Sequence, residues 1–190
     1  MGNREDLLAG ARAAILKRGL AKTTARDIAG AAGVSLSAIG YHFGSKDRLI
    51  AVAISSSLTT EVGDELEAAI RDEGGGKSLW DALAPTWELM REIQRKHSES
   101  ILLSTENAML VARSPELQEF TSDATEVPIE DLAKALHDVH PELTTAASVA
   151  VAKLFFLAFH GSAMLSLTAS HSVQVTGAEF ALAVRVLRGI

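Results

Sequence analysis

A chain of 190 residues that is 47% hydrophobic can build one medium domain and a smaller one, which excludes a disordered chain. With no cysteine, disulfides, thiolate metal sites and a cysteine nucleophile are excluded as well, a composition that fits a reducing cytoplasm. The net charge of −6 is unevenly spread: residues 1–50 hold eight Lys and Arg against four Asp and Glu, a net +4, leaving −10 for the rest. Only the head of the chain is suited to meet a polyanion.

The opening MGNREDLLAG is broken by charges where an export signal needs a continuous apolar run, so no signal is expected. Nearly every later segment has a helical pattern, with abundant Ala and Leu and no sustained period-2 alternation. The fold is therefore expected to be all-α. A first helix over 4–18 puts Leu7, Leu8, Ala11, Ala14 and Ile15 on one face, with Lys17 and Arg18 in its last turn and Gly19 as its stop.

Thr24 stands three residues before Asp27, the spacing of a capping box, and starts a second helix that ends at Gly33. Ser35 is expected to cap a third, with Ile39 and Phe43 facing inward and Gly44 as its end. Ser45 caps a fourth that is expected to run to the Gly74-Gly75-Gly76 break.

Further helices are expected near 78–96, 99–112, 115–137, 142–170 and 175–188, with Pro128 splitting or kinking the third of these. The apolar run 154–167 is interrupted by His160 and Gly161 and is shorter than the roughly 20 residues of a membrane span, so a soluble chain with no membrane partner is expected. The 142–170 helix is apolar around much of its circumference, more than one core can cover.

Residues 25–43 have the layout of a helix-turn-helix: a short capped helix, a glycine turn and a second short helix. Ile28, Val34, Ile39 and Phe43 lock the pair so that the second helix can enter a major groove as a rigid body. Its outward set is then Leu36, Ser37, Ala38, Tyr41 and His42. Small residues at Ser37, Ala38 and Gly40 allow close approach to bases, and Leu36 or Ala38 can touch a thymine methyl. Tyr41, His42 and Lys46 suit the flanking phosphates, as does Thr24 at a helix start, and Arg26 and Ser35 complete the candidate DNA contacts. Tyr41 as a packing residue and His42 as a helix cap are the bland alternatives.

The strings Thr24-Ala25-Arg26-Asp27-Ile28-Ala29, Ala32-Gly33-Val34-Ser35 and Ile39-Gly40-Tyr41-His42-Phe43-Gly44-Ser45-Lys46 resemble the DNA-binding signature of TetR (tetracycline repressor) family regulators. The likeness covers about residues 5–50. It implies that the third helix reads double-stranded operator DNA, that Tyr41, His42 and Lys46 hold phosphates, and that the larger helical domain binds a small-molecule effector and forms a homodimer through its two C-terminal helices. On that reading residues 1–48 form the DNA-binding domain and 49–190 the effector-binding and dimerisation domain of a cytoplasmic bacterial repressor. Two departures weaken a borrowed base preference: Gly40 where relatives carry a larger residue, and Leu36 where lysine is common.

Outside the head, Gly74-Gly75-Gly76-Lys77-Ser78 looks like the end of a phosphate loop, but Arg71 occupies the position of its required first glycine. His137 and His140 are spaced for one helical face with no third ligand in sight, and are read as surface or capping residues. No nucleophile elbow or metal triad is found, so neither an enzyme nor a cofactor is expected. Trp87, Met90, Glu106, Asn107, Phe156 and His160 are the candidate lining of an effector pocket, polar groups within apolar helices that can also be ordinary core or interface. A DNA-binding dimer that answers to a protein partner is the alternative to a ligand sensor, and an internal void would favour sensing.

Overall fold

The computed structural model describes residues 3–121, 123–169 and 174–189, with the side chains of 57–59, 120 and 123–125 left aside. Eleven α-helices and no strand are found among the described residues, so the fold is all-α as expected. Two compact units divide the chain: Met1–Thr59 with Leu102–Ala124, and Thr60–Ile101 with Thr125–Ile190.

The first unit is built on α1 (Asn3–Arg18), whose Leu7, Ala11, Ala14 and Ile15 are buried along one stripe. Glu5 and Asp6 in its first turn and Lys17 and Arg18 in its last complement the helix dipole. After a short 3-10 turn, Leu20–Lys22, Thr24 and Asp27 close the expected capping box on α2 (Ala25–Ala32). Gly33 ends α2 in the left-handed region at φ 68°, where a side chain would strain the turn into α3 (Ser37–Phe43). Gly10 matters for close approach instead. A Cβ there would sit 2.7 Å from both Cβ and N of Ala32, so its absence is what lets α1 and α2 touch.

Two details of α3 depart from expectation. Ser35 does not cap it; the helix starts from Leu36 without a side-chain cap, and the Ser35 hydroxyl lies 3.0 Å from that of Ser37. Ala38, expected outward, is turned into the core at 7% exposure beside Ile39 and Phe43. Ser45 does cap α4 (Lys46–Leu58), accepting the Arg48 amide at 3.1 Å. Leu7, Ile28, Ile39, Phe43 and Leu49 are each buried to 5% exposure or less; at about 1.5–3 kcal/mol per side chain, this core fixes the orientation of α3.

The fourth helix does not run unbroken to the glycines. A π-helical turn, Thr59–Gly63, separates α4 from α5 (Asp64–Gly74), the kind of local unwinding that sequence pattern does not announce. Next come α6 (Leu79–Lys96), capped by Ser78, and α7 (Ser98–Ala112). The later part of α7 and α8 (Pro115–Thr121) belong with the head: Leu103 packs on its core, and Glu116 pairs with Arg48 of α4 at 3.0 Å.

In the second unit, or body, α6 is central, packing against α5, α10 (Thr145–Thr168) and α11 (Gly177–Leu187). Trp87 of α6 stacks on Phe180 of α11 with ring centroids 4.5 Å apart and donates its indole N–H to the Val175 carbonyl at 2.8 Å. Gly177 allows that approach, since a Cβ would fall 2.2 Å from the Ala84 carbonyl oxygen. Pro128 neither splits its segment nor ends a helix: α9 (Asp123–Val139) runs through it. His140 is not a surface histidine; it is 2% exposed just beyond α9, with Nδ1 3.4 Å from Glu142.

At 24 residues α10 is long and apolar enough by length and composition to cross a membrane, longer than the run read from sequence. Its inner face, including Ala152, Phe155, Phe159 and Ala163, is buried in the body.

Candidate nucleic-acid interface and ligand cavity

The outer face of α3 and the helix ends beside it carry the exposed polar groups of the head. Leu36, Ser37, Gly40 and Tyr41 are exposed, and Ser35 sits in the preceding turn with them. Tyr41 is 86% exposed, which rules out its role as a packing residue, and its ring meets His42 edge to face at 4.9 Å. His42 is half-buried against the helix. Gly40 has nothing within 4 Å of a Cβ position, so the head has room for the larger residue that relatives carry there.

Lys46 begins α4, where the first-turn amides favour an anion. Its Nζ donates to the Thr23 carbonyl at 3.4 Å and lies 3.4 Å from Asp47 Oδ1, so a phosphate would share it with these oxygens. Arg26 is exposed on α2. Thr24 is exposed too, but its hydroxyl donates to Asp27 Oδ2 at 2.6 Å and accepts the Asp27 amide at 3.2 Å, leaving it chiefly a lone pair to offer. The Thr24 hydroxyl, the Thr24 amide and then Arg18 hold the Asp27 carboxyl below its ordinary pKa, which keeps the box ionised. Of the nine sequence candidates for DNA contact, six are exposed, His42 and Lys46 are partly exposed, and Ala38 is buried.

The six candidate pocket residues are divided between the two units. Glu106, exposed, and Asn107, buried, belong to the head unit, whereas Trp87, Met90, Phe156 and His160 belong to the body. Trp87 and Met90 are close-packed core. His160 donates Nδ1–H to the Phe156 carbonyl at 2.9 Å, and one edge of the residue reaches the surface. Crowding by the Phe156 and Phe159 rings strips water from the imidazole and pushes its pKa down, against the pull of that carbonyl.

The body does contain a cavity of about 240 Å³, lined by none of the six. Arg91, Gln94 and Arg95 of α6 and Ser162 and Ser166 of α10 are among its lining residues. The sequence held a partial signal for it: Gln94 lies four residues after Met90 and seven after Trp87 on the buried stripe of α6, a polar side chain where the pattern calls for an apolar one.

A helix-turn-helix within a basic first 50 residues, followed by a larger share of helical chain, is the layout of helix-turn-helix DNA-binding proteins. Residues 7–53 match the family model of bacterial regulatory proteins of the tetR family. Over 148 residues the chain is 30% identical to ArpR of Pseudomonas putida, assigned as an HTH-type transcriptional regulator; the match spans 78% of this chain and 65% of that relative's length. Two solved structures share its fold. A Rhodococcus sp. RHA1 protein assigned as a transcriptional regulator superposes with a TM-score of 0.68 at 19% identity, covering 100% of this chain and 96% of its own. A Mesorhizobium loti MAFF303099 protein assigned to the TetR family does so with a TM-score of 0.63 at 19% identity, covering 95% and 90%. Residues 7–53 thus resemble the tetR family of bacterial regulatory proteins, and the chain spans about two thirds of the length of the curated relative it matches, 65% of ArpR.

Proposed function

We propose that the chain is a cytoplasmic homodimeric repressor that holds a palindromic operator through α3 and is released by a small-molecule effector. The observation that carries the reading is the outward face of α3, with Leu36, Ser37, Gly40 and Tyr41 exposed on a head whose core is closed behind them. Leu36 and Ser37 meet base edges, while Tyr41, His42, Lys46, Arg26, Ser35 and the α2 start at Thr24 hold the flanking backbone. DNA binding is assigned to residues 1–48, and effector binding and dimerisation to 49–190.

Dimerisation is supported by the outer faces of α10 and α11. On α10, Leu154, Leu157, Gly161 and Met164 are exposed at spacings of three and four, the seam of a helix that packs on another helix. A lipid-facing helix would be apolar beyond one stripe, whereas the exposed Lys153 and Ser166 flank this one. Leu182 and Val186 continue the apolar surface on α11. A two-fold dimer spaces its recognition helices by about 34–36 Å, one turn of DNA.

The cavity favours a ligand over a protein partner as the signal. Release then requires that the ligand prefer the conformation that DNA does not, with a coupling of about 1–3 kcal/mol. The test is selection of genomic fragments by the purified protein, repeated at raised salt to remove purely electrostatic binders. Retention of one short palindrome is expected. Binding that is indifferent to sequence and lost in salt would overturn the operator reading.

A further inference from the structure

The cavity in the body is lined by basic and polar groups together with apolar ones. Arg91, Gln94, Arg95 and Ser166 bring polar and charged groups to it, and Ala163 and Leu167 of α10 supply apolar wall; no Asp or Glu lines it among the described residues. Arg91 is the inner of the two cations, its side chain 17% exposed. Nη1 pairs with Glu88 at 2.8 Å and Nη2 donates to Gln174 Oε1 at 3.0 Å, two bonds out of the five N–H donors a guanidinium carries.

The carboxylates that balance these charges stand outside the wall. Glu88 is divided between Arg91 and the Gly177 amide, which it accepts at 2.6 Å. Glu92 meets Arg95 only at 3.7 Å, with both side chains more than 60% exposed and screened by water. Gln94 is oriented by its surroundings: Nε2 donates to the Phe159 carbonyl at 2.8 Å and to Ser162 Oγ at 2.5 Å. A carbonyl can only accept, so the amide cannot be reversed, and Oε1 is left as the acceptor of this wall.

We propose that this cavity binds a small organic anion, a carboxylate on an apolar fragment, with the charge held by Arg91 and Arg95 and a hydroxyl or N–H of the fragment donated to Gln94. That the anion is the effector rests on the ligand-released reading above. The guanidinium fork matches a carboxylate better than it matches any neutral group. The volume lies below the roughly 300–1,000 Å³ of pockets for drug-sized ligands, so the occupant is a small metabolite. Ser98 and Ile101, in the first turn of α7, also line the cavity, and the same helix contributes Leu103 to the packing around the head core. A ligand that moves the start of α7 therefore acts on a helix with its later turns in the DNA-binding unit.

The test compares acids with their isosteric amides on the full chain: benzoate against benzamide and hexanoate against hexanamide, with inorganic phosphate as the purely ionic control, by titration calorimetry and thermal shift. Saturable binding of at least one acid is expected, with its amide at least about tenfold weaker. Arg91→Gln should remove that difference, and Arg91→Lys should restore part of it. Ser166→Phe, which leaves the Arg91 bonds untouched, should block binding in a chain of unchanged helix content.

Equal binding of acid and amide, phosphate binding as well as either acid, or no saturable binding of either acid up to about 10 mM overturns the proposal. Operator affinity is measured in the same samples. An acid that binds through Arg91 and leaves operator affinity unchanged supports the cavity chemistry and sinks the ligand-release reading. Neutral compounds that release the operator while no acid binds do the opposite.

Discussion

The head and the body use apolar residues differently. In α1 to α4 the large apolar side chains are nearly all inside, and those left out, such as Leu16 and Leu36, stand singly, as on any soluble surface. In α10 and α11 the exposed residues run together: Leu154, Leu157, Met164, Leu165, Leu182, Val186 and Leu187. The head has committed its core to holding one short helix still, whereas the body has packed one face and left another apolar and exposed, the face proposed above for a second copy. The proposed reading of two half-sites needs both, a rigid reader and a surface that sets the distance between readers.

The largest effect should come from the body's inner face. Trp87 is 2% exposed, stacked on Phe180 and bonded to the Val175 carbonyl, so Trp87→Ala should cost about 3–5 kcal/mol in urea unfolding. A loss below about 1 kcal/mol would mean that the α6 and α11 packing is loose, and the contrast with the head would fail. The outer face is tested by Leu157→Glu. This residue is 69% exposed, so the monomer should keep its helix content. The dimer should lose at least about 2 kcal/mol, roughly 30-fold in dissociation constant, by sedimentation. An unchanged association constant would remove the α10 seam from the interface.

Gly10→Ala probes the head. Its Cβ would meet Ala32 backbone and side chain at 2.7 Å, and forced separation of α1 from α2 should cost about 1–3 kcal/mol. Because Ala32 adjoins the turn that aims α3, operator affinity should fall with it. If stability drops and affinity does not, α3 is held by its other neighbours and the rigidity argument for the head is wrong.

The unequal legibility of the two regions follows from where their signals reside. Thr24 with Asp27, Gly33 and Ser45 act within a few residues of chain, and each does in the structure what its spacing implies. Ala38 defeats the sequence pattern because α3 is only seven residues long; its small side chain suits either face, and Ile39 beside it decides the inward one. The π turn at Thr59–Gly63 has no compositional mark, and Pro128 costs α9 one hydrogen bond without ending it. The cavity joins Arg91, Ser166 and Gln174, far apart in sequence, and Gln94 on the buried stripe of α6 is its one local sign. Trp87 and Met90 resemble pocket residues in sequence because apolar bulk suits pocket and core alike.

The smallest expected effect separates two helix starts that look equivalent in sequence. Thr24 with Asp27 begins α2, and Thr176 with Glu179 begins α11, each a complete capping box. Only α11 gains a further carboxylate from another helix: Glu88 of α6 accepts the Gly177 amide. That amide, and then Arg91, hold Glu88 below its ordinary pKa, and the Thr176 amide and hydroxyl do the same to Glu179. A carboxyl depressed in the folded state contributes stability that is present above its unfolded pKa and is lost as pH falls through the folded one. The attachment of α11 to α6 should therefore weaken as pH drops below the glutamate reference of 4.5 and continue to do so until Glu88 is protonated. Glu88→Gln keeps an oxygen for the Gly177 amide but removes the charge. It should cost under about 1 kcal/mol at neutral pH, since the group is partly exposed, and should flatten the acid limb of the stability curve. Hydrogen exchange of the α11 amides between about pH 6 and pH 3 reads this directly. Loss of protection at α2 and α11 in step, unaltered by Glu88→Gln, would mean that Glu88 adds nothing to what each box already does for its own helix.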